Sequence, residues 1–209
     1  MKIKISKCSN YDATKGKDFN NKIVAQGWEL QEIDWDENKL RELVTLNGIS
    51  FNEYDKGHRI NKNWKGSHGV MLDFDDGAMT VSDLLDYQKT WKYNSLIFSS
   101  QNHQNPKEKP SGEIIPACDR LRVFIPFKTC IKNEFDRQAV EAWFKNNYKS
   151  IDTTCMEMAR YFAHGTTAVW KFVDKNKCLD WTNLKDLYDK EKYDSDQLRL
   201  DDIIIDHNG

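Results

Sequence analysis

Apolar residues recur along the chain in two rhythms, one strand-like and one helix-like, and the alternation between them predicts the fold class. Asp36 caps a helix that places Leu40, Leu43 and Val44 on one face and stops at Asn47-Gly48. Gly69 to Asp75 reads as a strand. Thr80-Val-Ser-Asp83 then has the form of a capping box, opening a helix with Val81, Leu84, Leu85 and Trp91 at i, i+3, i+4 and i+10, interrupted at Gln88. Ser95 to Ser100 is a short apolar strand, so these three elements read as a βαβ unit. From Arg120 to Phe127 the alternation is strict: Leu121, Val123, Ile125 and Phe127 face one way, Arg120, Arg122 and Phe124 the other. Asn133 to Tyr148 is an amphipathic helix carrying Phe135, Ala139, Ala142 and Trp143. Between the strands, Pro106, Pro110 and Pro116 punctuate a stretch that predicts a long irregular loop, of the kind that often carries function. The expected architecture is a mixed α/β (α+β) domain with a largely open sheet.

Composition narrows this picture. With 209 residues, 39% hydrophobic and 31% charged, the chain suits one medium-sized domain with short appendages. A net charge of −2 argues at first against a nucleic-acid partner, but it averages a body of +3 over residues 1–179 with an acidic segment of −5 over 180–209. No apolar run approaches the roughly 20 residues that span a bilayer, and the start, MKIKISKCSNYD, lacks the apolar stretch of a secretory signal, so a cytoplasmic protein without membrane contact is expected. Five scattered cysteines with no C-x-x-C pair indicate neither a disulfide framework nor a zinc site. His103 and Cys118 have the wrong spacing for common zinc motifs.

The strongest chemical signal is Val70-Met71-Leu72-Asp73-Phe74-Asp75-Asp76-Gly77. Residues two apart on a strand share a face, so Asp73 and Asp75 are expected side by side, where mutual repulsion is relieved by a divalent cation such as Mg²⁺ or Mn²⁺. The alternative is a solvated polar edge. A second signal, Phe98-Ser99-Ser100-Gln101-Asn102-His103, runs an apolar strand into polar groups and a histidine. Arg120 and Arg122 offer two guanidinium groups on one strand face, suited to a triphosphate or a nucleic-acid backbone or to nearby acids. Asp152, in Ile151-Asp152, gains meaning only if it converges with Asp73 and Asp75.

In order, LDFDDG, FSSQNHQ, DRLRVFIPF and ID followed by ARYFAHG resemble the catalytic domain of the archaeo-eukaryotic primase superfamily, especially small phage and plasmid primase-polymerases. The match runs from about Arg59 to Gly165, with Gln101 and Asn102 standing between Ser100 and His103 where the family has a single residue. The resemblance implies an RRM-like catalytic sheet (about 66–179) beside a small N-terminal α/β module (about 1–65). It implies that Asp73, Asp75 and Asp152 bind two Mg²⁺ or Mn²⁺ ions, and that His103, Arg122, Arg120 and Ser100 meet the nucleotide. Arg59, Lys65, Arg160 and Trp64 are further candidates for nucleotide or template contact, with Trp64 and Phe124 as stacking surfaces and Trp91 as a core residue.

The implied activity is DNA-templated primer synthesis or extension from NTPs or dNTPs on single-stranded DNA, in replication of a phage or plasmid, with unwinding left to a separate helicase. A metal-dependent nuclease and an inactive, primase-like nucleic-acid-binding protein are the alternatives.

Overall fold

Strand β1 (Lys2–Cys8) opens the chain because its side chains alternate, Ile3 and Ile5 inward against Lys2 and Lys4 outward. The computed structural model describes residues 1–108 and 111–186. After β1 come α1 (Lys17–Ile23), β2 (Trp28–Asp34), α2 (Glu37–Leu46), β3 (Ile49–Ser50), β4 (Asn52–Tyr54) and β5 (Trp64–Phe74). These are followed by α3 (Val81–Thr90), β6 (Ser95–Ser100), β7 (Lys107–Glu108), β8 (Ile114–Ile115), β9 (Leu121–Ile131), α4 (Glu134–Asn147) and β10 (Gly165–Val173). A further helical stretch spans 181–186. Most of the acidic segment, including Ile203 to Ile205, lies outside the described residues. Among the described residues no helix is long and apolar enough to cross a membrane.

The fold is mixed α+β. Strands β2, β1 and β3 form one antiparallel sheet, and β10-β6-β9-β5-β4 form a second in which every neighbouring pair is antiparallel. The expected βαβ unit is split: β9 lies between β5 and β6, antiparallel to both, so those two run parallel without touching. Strand β9 takes the centre because both of its faces are apolar. The proline-rich stretch is not wholly irregular either, since β7 and β8 pair as a small hairpin arm.

Local chemistry fixes the helix starts. Asp36 accepts from the amides of Asn38 and Lys39, Thr80 and Asp83 close a reciprocal capping box, and Asn133 accepts from the Asp136 amide. Asp119 reaches across from the strand side to accept from the Val81 amide, 3.0 Å away.

Both faces of the larger sheet are covered. Register pairs Met71 with Phe124 and Asp73 with Arg122 across β5 and β9, so these four share one face. At the Phe124 end that face is sealed by the first sheet's side of the molecule: Phe124 meets Trp35 and Phe51 edge-on and is fully buried. Phe124 is therefore core, not a stacking surface for a template. The opposite face, with Leu72, Phe74, Val123 and Ile125, is buried in the same core as Leu84, Val140 and Phe144 from the helices. Trp91 is core as expected, donating to the Tyr148 hydroxyl at 2.9 Å.

Contact between the two sheets is close enough to require glycine. A β-carbon at Gly69 would collide with the Phe51 ring and lie 2.7 Å from the Ile125 carbonyl oxygen. Gly69→Ala is expected to cost about 1–3 kcal/mol, because a strand and an aromatic ring must both shift. Thermal denaturation checks this, and an unchanged midpoint would contradict it.

Candidate functional site

The sealed face opens at the other end of the sheet. Beyond the aromatic cover, Asp73 and Arg122 stand at the ends of β5 and β9, and Ser100 at the end of β6. Together with loop residues they line a polar cleft of about 520 Å³. Among the described residues its walls carry four acids (Asp73, Asp75, Asp152, Glu157) and four bases (Arg59, Lys107, Arg122, Arg160), with Asn21, Gln101, Asn102 and Tyr161 among the polar neighbours. The cleft is thus formally neutral.

Asp73 is nearly buried and sits between two guanidinium groups, Arg122 Nε and Arg160 Nη2, each 3.4 Å from a carboxylate oxygen. Both arginines lie over the Phe162 ring, at 5.4 and 5.3 Å from its centroid. Arg122 also donates to the Ala163 carbonyl. The Asp73 carbonyl accepts from the Asp152 amide at 2.8 Å, which is what brings the third acid to the strand end. Asp152 accepts from the amide and hydroxyl of Thr154 and from Arg160 at 3.0 Å. Burial alone would raise its carboxyl, but the Thr154 bonds and the Arg160 charge outweigh it and hold the group below its ordinary value.

Arg160 is placed by the N-terminal region. Its carbonyl accepts from the Ser50 and Tyr54 hydroxyls, and Phe162 exchanges two backbone bonds with Ile49. The segment ARYFAHG is therefore strapped to β3 and β4, far away in sequence.

Asp75 takes a different partner from Asp73. Strand β5 ends at Phe74, so the side-by-side expectation stops one residue short. The Asp75 carboxylate pairs with Lys107 and, at 3.3 Å, with Arg120 Nε. Gly77 follows in a positive-φ turn (φ +79), where a β-carbon would lie 2.6 Å from the Cys118 side chain.

Several candidates stand elsewhere. Arg120 is fully buried, and its guanidinium donates to the carbonyls of Asp75, Asn102, Asn105 and Pro116, so it is spent on backbone and does not line the cleft. His103 accepts the Arg120 amide proton at Nδ1, lies beside Asp119 and is likewise absent from the cleft wall. Trp64 and Lys65 sit at the opposite end of β5, roughly 26 Å along the strand from Asp73. There Trp64 bonds Asn52 and Ser67, and Lys65 pairs with Asp55. Arg59 does line the cleft, but it is held by the carbonyls of Val24 and Ala159 and flanked by the Trp28 and Tyr161 rings.

The structure adds residues that periodicity had no means to find. Lys107 comes from the proline-punctuated stretch. His164 lies next to the cleft residues Gln101 and Ala163 without lining the cleft itself, its ring against the Gln101 amide and the Tyr11 hydroxyl. Burial, and then the charge of Arg122, push the His164 ring below its ordinary value. A depressed folded value means that His164 stabilises the fold in its neutral form above about pH 6.5, and that this stability is lost as pH falls through the folded value. The melting temperature of wild type should therefore fall more steeply below pH 6.5 than that of His164→Gln; parallel curves would contradict it.

As the side chains stand, no group of three or more His, Cys, Asp and Glu among the described residues is arranged to hold a metal ion. The donor chemistry nonetheless fits a hard divalent cation, because Asp73 and Asp152 already converge on one cation, the Arg160 guanidinium. Asp75 is turned towards Lys107 instead.

No protein-family model and no curated protein matches the chain. Among solved structures, the chain is similar to the AEP domain (PP-N190) of the primase-polymerase (PrimPol) of cyanophage S-2L, with a TM-score of 0.42 and 9% identity over 88% of this chain and 86% of that one.

Proposed function

We propose that the chain is a nucleotidyltransferase that makes or extends primers on a single-stranded DNA template, from ribonucleotides or deoxynucleotides, in the replication of a phage or plasmid. The observation that carries this reading is the convergence of Asp73, Asp152 and Asp75 with Arg122, Arg160 and Lys107 in one polar cleft at the open end of the sheet. Acids alone would suit many hydrolases. Acids interleaved with arginines fixed towards the same point suit a reaction in which a polyanion is held while an oxygen nucleophile attacks it.

Asp73, Asp152 and Asp75 would hold the divalent cations, which when bound supply activation of a 3′-hydroxyl and neutralisation of the departing pyrophosphate. Arg122 and Arg160, locked over Phe162, orient phosphate oxygens without having to be ordered at the moment of reaction. Ser100, Gln101 and Asn102 offer short hydrogen-bonding groups along the β6 edge of the cleft. A formally neutral cleft gives little long-range attraction, so template binding should be weak and salt-sensitive, and strand separation falls to a separate helicase.

The deciding test is synthesis on single-stranded DNA with Mn²⁺, each nucleotide class supplied separately, resolved on a denaturing gel. Products longer than the primer, or formed without one, are expected. Shortening of labelled DNA in the absence of nucleotides would instead establish a nuclease, and neither outcome would leave a binding protein.

A further inference from the structure

Resting on that reading, we infer that Lys107, on the hairpin arm, is a triphosphate ligand that the apo protein stores on Asp75, and that it exchanges this carboxylate for phosphate when the substrate arrives. The cleft's cations differ in how firmly they are held. Arg122 is tied to Asp73, the Ala163 carbonyl and the Phe162 ring; Arg160 to Asp73, Asp152 and Thr154; Arg59 to two carbonyls between two aromatic rings. Each is fixed by several bonds. Among the described residues, the Lys107 ammonium bonds Asp75 alone.

That pair is also open to solvent. The Asp75 and Lys107 side chains are 32% and 31% accessible, against 9% for Asp73 and 12% for Arg122. Arg160 and Asp152 are about as accessible, at 29% and 30%, but Arg160 is held by three side chains where Lys107 has one. A half-exposed pair on a flexible four-carbon stem contributes little and is easily exchanged, whereas a ring-stacked, carbonyl-bound arginine is not. The base of the arm, by contrast, is fixed: Arg120 grips the carbonyls of Asn102, Asn105 and Pro116 from within. Lys107 therefore stands just beyond a rigid anchor, with its ammonium already inside the cleft. Any cation that satisfies Asp75 in its place frees it to meet a phosphate oxygen.

Inorganic tripolyphosphate is titrated into the protein in EDTA by calorimetry, across a cycle of wild type, Asp75→Asn, Lys107→Gln and the double variant. Asp75→Asn releases Lys107 and should bind tripolyphosphate about tenfold tighter than wild type. In the Lys107→Gln background the same substitution should give no more than a twofold gain. An equal gain in both backgrounds, which would be a general field effect, overturns the inference, as does no gain in either. A gain seen with a single-stranded oligonucleotide and not with tripolyphosphate overturns it as well.

If Asp75→Asn does not fold, Lys107→Gln alone decides. With Mn²⁺ present its tripolyphosphate affinity should fall about tenfold, and an unchanged affinity rejects the role. The outcome is separable from that of the proposed function. Absent coupling leaves primer synthesis standing, while absent synthesis with intact coupling leaves Lys107 a polyphosphate ligand in a different enzyme.

Discussion

Replacing Asp73 with Asn should reduce nucleotide incorporation about a thousandfold or more, with the fold retained. Asp73 is the one acid in the cleft that meets two guanidinium groups directly and bonds through its carbonyl to the segment carrying another acid. The amide keeps its shape and one accepting oxygen but loses the charge. Arg122 and Arg160 then face each other across a neutral group, and the anionic ligand needed for a divalent cation is gone. Loss of several kcal/mol of transition-state stabilisation corresponds to that thousandfold effect. Primer extension with Mn²⁺, quantified on a gel, reads it directly, and circular dichroism confirms folding. Extension within tenfold of wild type would remove Asp73 from the reaction. Lys65→Ala is the matched control: at the far end of β5 and paired with Asp55, it should extend primers within twofold of wild type.

The second large effect concerns stability. Arg120→Met should cost about 3–5 kcal/mol, lowering the melting temperature by roughly 10 °C or more. No part of this side chain reaches solvent, and it serves four backbone carbonyls together with the Asp75 carboxylate. Removing it deprives those acceptors of the one guanidinium that ties them together and leaves a fully buried space to be refilled. Arg120→Lys should fare little better, since one ammonium cannot spread over acceptors on several sides of a planar fork. A midpoint within about 3 °C of wild type for either variant would show that the loop is held by something else. Incorporation by whatever folded protein remains should also fall, because Arg120 fixes both Asp75 and the base of the arm that carries Lys107.

These two arginines show why the candidate site was only partly legible. In the sequence, Arg120 and Arg122 are equivalent, two residues apart on one strand face. Nothing in Arg120-Leu-Arg122 says that the first will be enclosed by the loop preceding it and the second left facing a cleft. That difference is made by where the chain returns. Phe124 was misplaced for the same reason, since alternation says which face it occupies but not that Trp35 and Phe51 will come to cover that face. Strand β10 gave little pattern because it is an edge strand with most side chains half exposed.

What the sequence determined by itself was local: the caps at Asp36 and Thr80, the helices they start, the amphipathic helix after Asn133, the apolar strands ending in Asp73 and Ser100, and the candidate acids. Those follow from the periods of strand and helix and from short-range hydrogen bonding, which need no distant partner. Only the tertiary structure decided which charges meet. It put β9 between β5 and β6, hung Asp152 on the Asp73 carbonyl, strapped Arg160 to β3 and β4, buried Arg120, kept His103 off the cleft wall, and brought Lys107 out of a loop into the cleft. Ion pairs and clefts are made by residues far apart in the chain, and their meeting is fixed by how the covered faces of the sheet close, a property of the whole core rather than of any segment.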